Sequence, residues 1–69
     1  MQSLKEVRES RGVKQLAVAA YLGVSRQTYA SYENNPESMS VEQAKAVCDF
    51  LHVSFADIFS TSNVLKLSN

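Results

Sequence analysis

The stretch Gln15–Glu33, QLAVAAYLGVSRQTYASYE, decides the fold. Gln15–Leu22 reads as one short helix, with Val18, Ala19 and Leu22 at the three-to-four-residue spacing of a single buried stripe. Leu22-Gly23-Val24-Ser25 is a tight corner. Gly23 supplies the left-handed residue that ends a helix without steric cost, and Ser25 is an N-cap whose hydroxyl satisfies an orphan amide of the next helix. That next helix runs from Arg26 to Glu33, with Thr28, Tyr29 and Tyr32 expected inward beside Val24 and Arg26, Gln27, Ala30 and Ser31 outward. Its amino end is therefore polar and free to touch something outside the protein.

Working outward, Ser3 precedes Leu4 and Val7, with Glu6 three residues on as in a capping box, and Gly12 stops this first helix after Arg11. Asn34-Asn35-Pro36-Glu37 is a loop by composition. Ser40 then caps a fourth helix whose stripe is Val41, Ala44, Val47, Cys48 and Leu51, with Glu42 and Gln43 in its first turn. After His52 and Val53, Ser54 caps a short fifth helix carrying Phe55, Ile58 and Phe59. These elements predict an all-α, five-helix domain over residues 1–59 and a C-terminal tail over 60–69. The tail, with Val64, Leu65 and Leu67, is expected to dimerise or to stay disordered.

Sixty-nine residues make one domain, and a chain this short buries only ~60% of the surface it exposes when unfolded, which leaves no room for a deep catalytic cleft. Two glycines and one proline are too few for the turns of an all-β fold. The single Cys48 forms no internal disulfide, no secretory signal is legible, and no apolar run approaches the ~20 residues that cross a bilayer. A soluble cytoplasmic protein without membrane contact is expected. His52 stands at a helix end, apart from Cys48 on an apolar stripe, so a nucleophile and base pair is not expected. One cysteine and one histidine fall short of a four-ligand zinc site. No glycine-rich phosphate loop is present, so the expectation is a non-enzyme with no metal and no cofactor.

The formal net charge is zero, but its distribution is uneven. Residues 1–32 hold Lys5, Arg8, Arg11, Lys14 and Arg26 against Glu6 and Glu9, a balance of +3. Residues 33–69 hold Lys45 and Lys66 against Glu33, Glu37, Glu42, Asp49 and Asp57, a balance of −3. The positive half contains the two-helix corner. Helix, glycine turn and capped helix form a helix-turn-helix, a motif whose usual employment is sequence-specific binding of duplex DNA.

LKEVRESRGVKQLAVAAYLGVSRQTYASYENN, followed by SVEQAKAVCDFLHVSFADIF, resembles the lambda-repressor-like helix-turn-helix family of phage repressors, Cro proteins and xenobiotic-response-element-type regulators, over about residues 4–59. The resemblance rests on the LGVSRQT corner, the glutamine opening the second helix, the ending of the third in the relaxed form Glu33-Asn34, and the closing L-x-V-S-x-x-D-x-F. It implies that the start of the third helix enters the major groove with Arg26 and Gln27 at base edges and Thr28 and Ser31 beside them. The chemistry agrees: an arginine fork matches guanine O6 and N7, and a glutamine amide matches adenine N6 and N7. Gln15 resembles the family glutamine held against a phosphate, and Asn34 the asparagine that touches the DNA backbone or caps the helix. Lys14 and Arg11 are further phosphate candidates. Arg8 and Glu33 occupy positions where related domains place a structural ion pair.

Two features depart from the family. The loop after the third helix is acidic where relatives often carry glycine and basic residues, and Leu16, Ala17, Ala20 and Tyr21 give the second helix an apolar outer face. That face reads as a protein contact or as local packing on the first helix or the tail, of which local packing is the simpler. The resemblance implies a transcriptional regulator, a repressor of phage or mobile-element type, binding an inverted-repeat operator as a homodimer. Helix 5, the surface around Phe50 and the tail Val64–Leu67 are candidate dimer surfaces. The alternative is a protein-interaction module on the same scaffold, such as an antitoxin, an anti-repressor or an assembly partner.

Overall fold

A computed structural model describes residues 3–59. These form five α-helices, α1 (Leu4–Ser10), α2 (Gln15–Leu22), α3 (Arg26–Asn34), α4 (Val41–Leu51) and α5 (Phe55–Ile58), with a 3-10 turn at Pro36–Ser38 before α4. No strand occurs among the described residues. The tail expected to dimerise or stay disordered lies outside them.

Local chemistry sets the helix starts. Ser3 accepts from the Glu6 amide while Glu6 reaches back to the Ser3 amide, and Ser40 and Gln43 repeat this capping box at α4. Ser25 accepts from the Thr28 amide and so opens α3. Ser54 is extended ahead of α5 but makes no side-chain capping bond, contrary to its expected role.

Three helix ends share one device. Gly12, Gly23 and His52 are left-handed, and the next residue, a valine each time, donates its amide back across the last turn: Val13 to Arg8, Val24 to Ala19 and Val53 to Cys48. All three valines pack on the core, supplying the apolar contact that accompanies this motif. The polypeptide thus reverses direction and adds to the core in the same step. A Cβ at Gly23 would meet nothing within 4 Å, so only the backbone at φ +75° resists substitution. Gly23→Ala is expected to cost about 1–2 kcal/mol, read as a lower urea midpoint at unchanged slope. A midpoint equal to that of the unaltered protein would show that the corner tolerates relaxation.

The core is formed by Leu4 and Val7 of α1, Val18 and Ala19 of α2, Tyr29 of α3, Ala44, Val47, Cys48 and Leu51 of α4, and Ile58, with Met39 and Phe59 from the flanking segments. α2 packs on both α3 and α4, and α4 on α5. Ala19 is fully buried where α2 must approach its neighbours closely. Burial pushes the Cys48 thiol up to about 11, with Asp49 adding to the effect, so it stays neutral and behaves as a small apolar core residue.

Two assignments on α3, one inward and one outward, are corrected. Thr28 is exposed, not buried, because its hydroxyl accepts from Ser25 Oγ at 2.9 Å within the cap; Ala30 is half-buried rather than outward. The outer face of α2 also differs from expectation. Leu16 is 64% exposed and Tyr21 53%, so packing among the described residues does not cover them, and the expected packing on the tail lies outside those residues. Tyr21 stacks on Phe50 of α4, with ring centroids 4.6 Å apart, rather than on α1. Gly12, Val13, Lys14, Leu16, Ala17, Ala20 and Phe50 line an open groove of about 610 Å³ beside this stack. Helix α2 carries no charged residue, and half of its circumference nevertheless meets solvent.

Candidate nucleic-acid interface

The Gly23 corner brings the amino ends of α2 and α3 together, and four side chains expected at three tasks form one connected chain there. Arg8 Nε donates to Glu33 Oε2 at 2.5 Å and Arg8 Nη2 to Glu33 Oε1 at 3.3 Å, a forked pair whose side chains are 9% and 3% exposed. Arg8 Nη1 donates to the Val13 carbonyl at 2.8 Å, which ties the α1–α2 turn to the same guanidinium. The expected ion pair between Arg8 and Glu33 is thus formed, and it joins α1 to the end of α3. Gln15 Nε2 donates to Glu33 Oε1 at 3.0 Å, and Arg26 Nη1 donates to Gln15 Oε1 at 3.1 Å. Sequence reading anticipated the first pair and missed both glutamine bonds. The one available signal was that Gln15 and Arg26 each open a helix of the same two-helix unit.

Burial raises the Glu33 carboxyl, but bonds from Arg8 and Gln15, together with the nearby Tyr29 hydroxyl, outweigh it and hold the group below its ordinary 4.5. The Tyr29 hydroxyl is buried without a well-formed hydrogen bond, and burial, reinforced by the Glu33 charge, moves its ionisation upward. Because the folded Glu33 pKa lies below the unfolded one, its stabilisation is complete above about pH 4.5 and is lost as pH falls through the folded value. The urea midpoint is therefore expected to drop on acidification below pH 4.5. Glu6, lowered by its bonds to Ser3, titrates in the same window, so the Glu33 part is read by comparison with Glu33→Gln. An acid slope identical in the two proteins would remove Glu33 from it.

The candidate base-reading residues all lie on exposed surface. Arg26 and Gln27 occupy the first two positions of α3, and Thr28 and Ser31, which follow, are exposed as well. Arg26 uses one of its five N–H donors on Gln15 and has no other partner among the described residues. A cation at a helix amino end opposes the macrodipole, at a cost of about 0.3–1 kcal/mol, so this arginine does not serve the stability of α3. Ser31 donates to the Thr28 carbonyl at 2.6 Å, which leaves its hydroxyl oxygen as an acceptor.

Lys14 is exposed at the start of α2 and makes no capping bond. Asn34 is the last residue of α3 and exposed; Asn35 takes the capping position instead. Arg11, expected at a phosphate, donates from Nε to the Leu51 carbonyl at 2.9 Å and from Nη2 to the His52 carbonyl at 3.2 Å. It closes the carboxyl end of α4, whose last turn holds no basic residue of its own. Forty residues separate the partners, so no local pattern announces this contact.

Comparison with known proteins agrees with the geometry. The helix-turn-helix family model matches residues 4–58. The antitoxin PezA of Streptococcus pneumoniae serotype 4 (strain ATCC BAA-334 / TIGR4) is 31% identical over 64 residues, which cover 93% of this chain and 40% of that longer relative. No helix among the described residues is long and apolar enough to cross a membrane. With the corner, the two adjoining helix starts and the five-helix core in place, the chain belongs to the lambda-repressor-like helix-turn-helix family.

Proposed function

We propose that this protein is a sequence-specific reader of duplex DNA, a transcriptional repressor of phage or mobile-element type that sets α3 in the major groove and acts as a homodimer on an inverted repeat. The observation that carries this reading is the exposed Arg26-Gln27 pair at the start of α3, with four guanidinium donors unengaged among the described residues and the uncapped start of α2 alongside. Arg26 and Gln27 read base edges, with Thr28 and Ser31 next to them. Lys14, Asn34 and the amide end of α2 at Gln15 meet phosphates and fix the register. Arg11, engaged with α4, is left out of this set.

Pairing follows from energetics. A single module with so few free cations binds weakly, and two linked modules on half-sites ~34–36 Å apart gain affinity and specificity together. Selection of bound duplexes from a random pool at moderate salt is expected to return an inverted repeat with that spacing. Recovery of no preferred sequence, with binding that does not weaken as salt rises, would overturn the reading.

A second reading is favoured by one specific observation, the open apolar groove beside the Tyr21–Phe50 stack. A contiguous apolar surface on a small soluble chain is a site for protein contact, and the relative named as an antitoxin supports a protein partner. This surface belongs to the outer side of α2, whereas the base-reading groups belong to α3, so the two roles are compatible. Leu16→Glu separates them, since it abolishes partner binding at the groove and leaves the selected DNA sequence unchanged.

A further inference from the structure

We infer that Glu33 is a positioning residue for sequence readout: through the Gln15 amide it holds the Arg26 guanidinium in place, so the ion pair that braces α1 against α3 also sets which base pair Arg26 prefers. The inference rests on the assignment of Arg26 to a base edge made above. It begins from the chemistry of the three groups. An ionised carboxylate only accepts hydrogen bonds and a guanidinium only donates them. Gln15 lies between one of each, with Nε2 on Glu33 Oε1 and Oε1 on Arg26 Nη1.

The Gln15 amide consequently has a single satisfactory orientation. Turned over, it would set oxygen against the Glu33 carboxylate and N–H against the Arg26 guanidinium, and both contacts would become repulsive. Glu33 is itself immobilised, because its Oε2 takes the short bond from Arg8 Nε and its Oε1 is shared between Arg8 Nη2 and Gln15 Nε2. The rigidity of a buried pair therefore reaches an exposed arginine through one half-buried amide. Arg26 keeps its Nε and Nη2 edge for a forked contact while Nη1 is anchored, and an arginine restrained before binding loses less side-chain freedom on reaching its base.

Two variants cut the chain at different links. Glu33→Gln removes the acceptor-only group and lets the Gln15 amide turn, while Gln15→Met removes both glutamine bonds and leaves the Arg8–Glu33 pair intact. Side-chain nitrogen relaxation of Arg26 in the DNA-free protein is expected to show a more mobile guanidinium in both. On duplexes varied one base pair at a time, both are expected to relax preference by about 3- to 10-fold at the same position that Arg26→Ala relaxes, and to add nothing once Arg26 is alanine.

Unchanged Arg26 relaxation in both variants overturns the inference, as does an unchanged base preference in a folded Gln15→Met protein. Loss of thermal stability in Glu33→Gln with preference intact assigns Glu33 a purely structural role and has the same consequence. An unaltered protein that selects no sequence defeats the operator reading instead, and the relaxation measurement then still decides whether Arg26 is held.

Discussion

Arg8→Met is expected to lower the free energy of unfolding by about 3–5 kcal/mol. Methionine matches the aliphatic stem of arginine and leaves the apolar contacts of α1 largely in place, so the loss is that of the charge. Glu33 would then keep a 3%-exposed carboxylate with only Gln15, among the described residues, as a side-chain hydrogen-bond donor of good geometry, and the Val13 carbonyl would lose its donor as well. A domain of this size is worth on the order of 3–10 kcal/mol in total, and each kcal/mol shifts its melting temperature by about 4–8 °C. The variant should therefore melt some tens of degrees lower or fail to fold at room temperature.

Removing both charges distinguishes this account from simple loss of packing. Arg8→Met combined with Glu33→Leu leaves no unpaired carboxylate, so the double variant is expected to recover a large part of the stability lost by the single one. A single variant with an unchanged melting temperature would mean that the pair is screened like a surface ion pair. A double variant no more stable than Arg8→Met alone would mean that the ions stabilise the fold beyond what an apolar pair supplies.

Where residues act on near neighbours, the sequence was enough to read them. Ser3 with Glu6, Ser40 with Gln43, Ser25 with the Thr28 amide and Gly23 at the corner are contacts over three or four positions, and each forms as its pattern implies. The apolar stripes of α2 and α4 are legible for the same reason. What stayed hidden depends on how elements meet. Arg11 reaches α4 across forty residues, Gln15 reaches Glu33 across eighteen, and Tyr21 finds Phe50 only once α2 lies on α4. Thr28 misled for a local reason: helical periodicity placed it inward, but a residue in the first turn still belongs to the cap, and its hydroxyl turned to Ser25. The left-handed residue at His52 was also illegible, because only glycine advertises that conformation by its identity.

Within the candidate interface, substitution of Arg26 is expected to have the largest effect on DNA recognition. A forked arginine–guanine contact discriminates by about 1–3 kcal/mol, so Arg26→Ala should cut preference at one base pair of each half-site by roughly 5- to 150-fold. Gln27→Ala should act in the same way at a neighbouring pair. Fold stability should not suffer, since Arg26 is exposed, makes a single hydrogen bond among the described residues and opposes the α3 dipole. Lys14→Ala provides the contrast. A phosphate contact carries no sequence information, so its loss should weaken all duplexes alike and reduce the slope of log affinity against log salt by about one. Quantitative binding to a set of single-base-pair variants at two salt concentrations measures both effects together. A uniform loss from Arg26→Ala with a position-specific loss from Lys14→Ala would invert the proposed docking, making the start of α2 the reading element and the start of α3 its support.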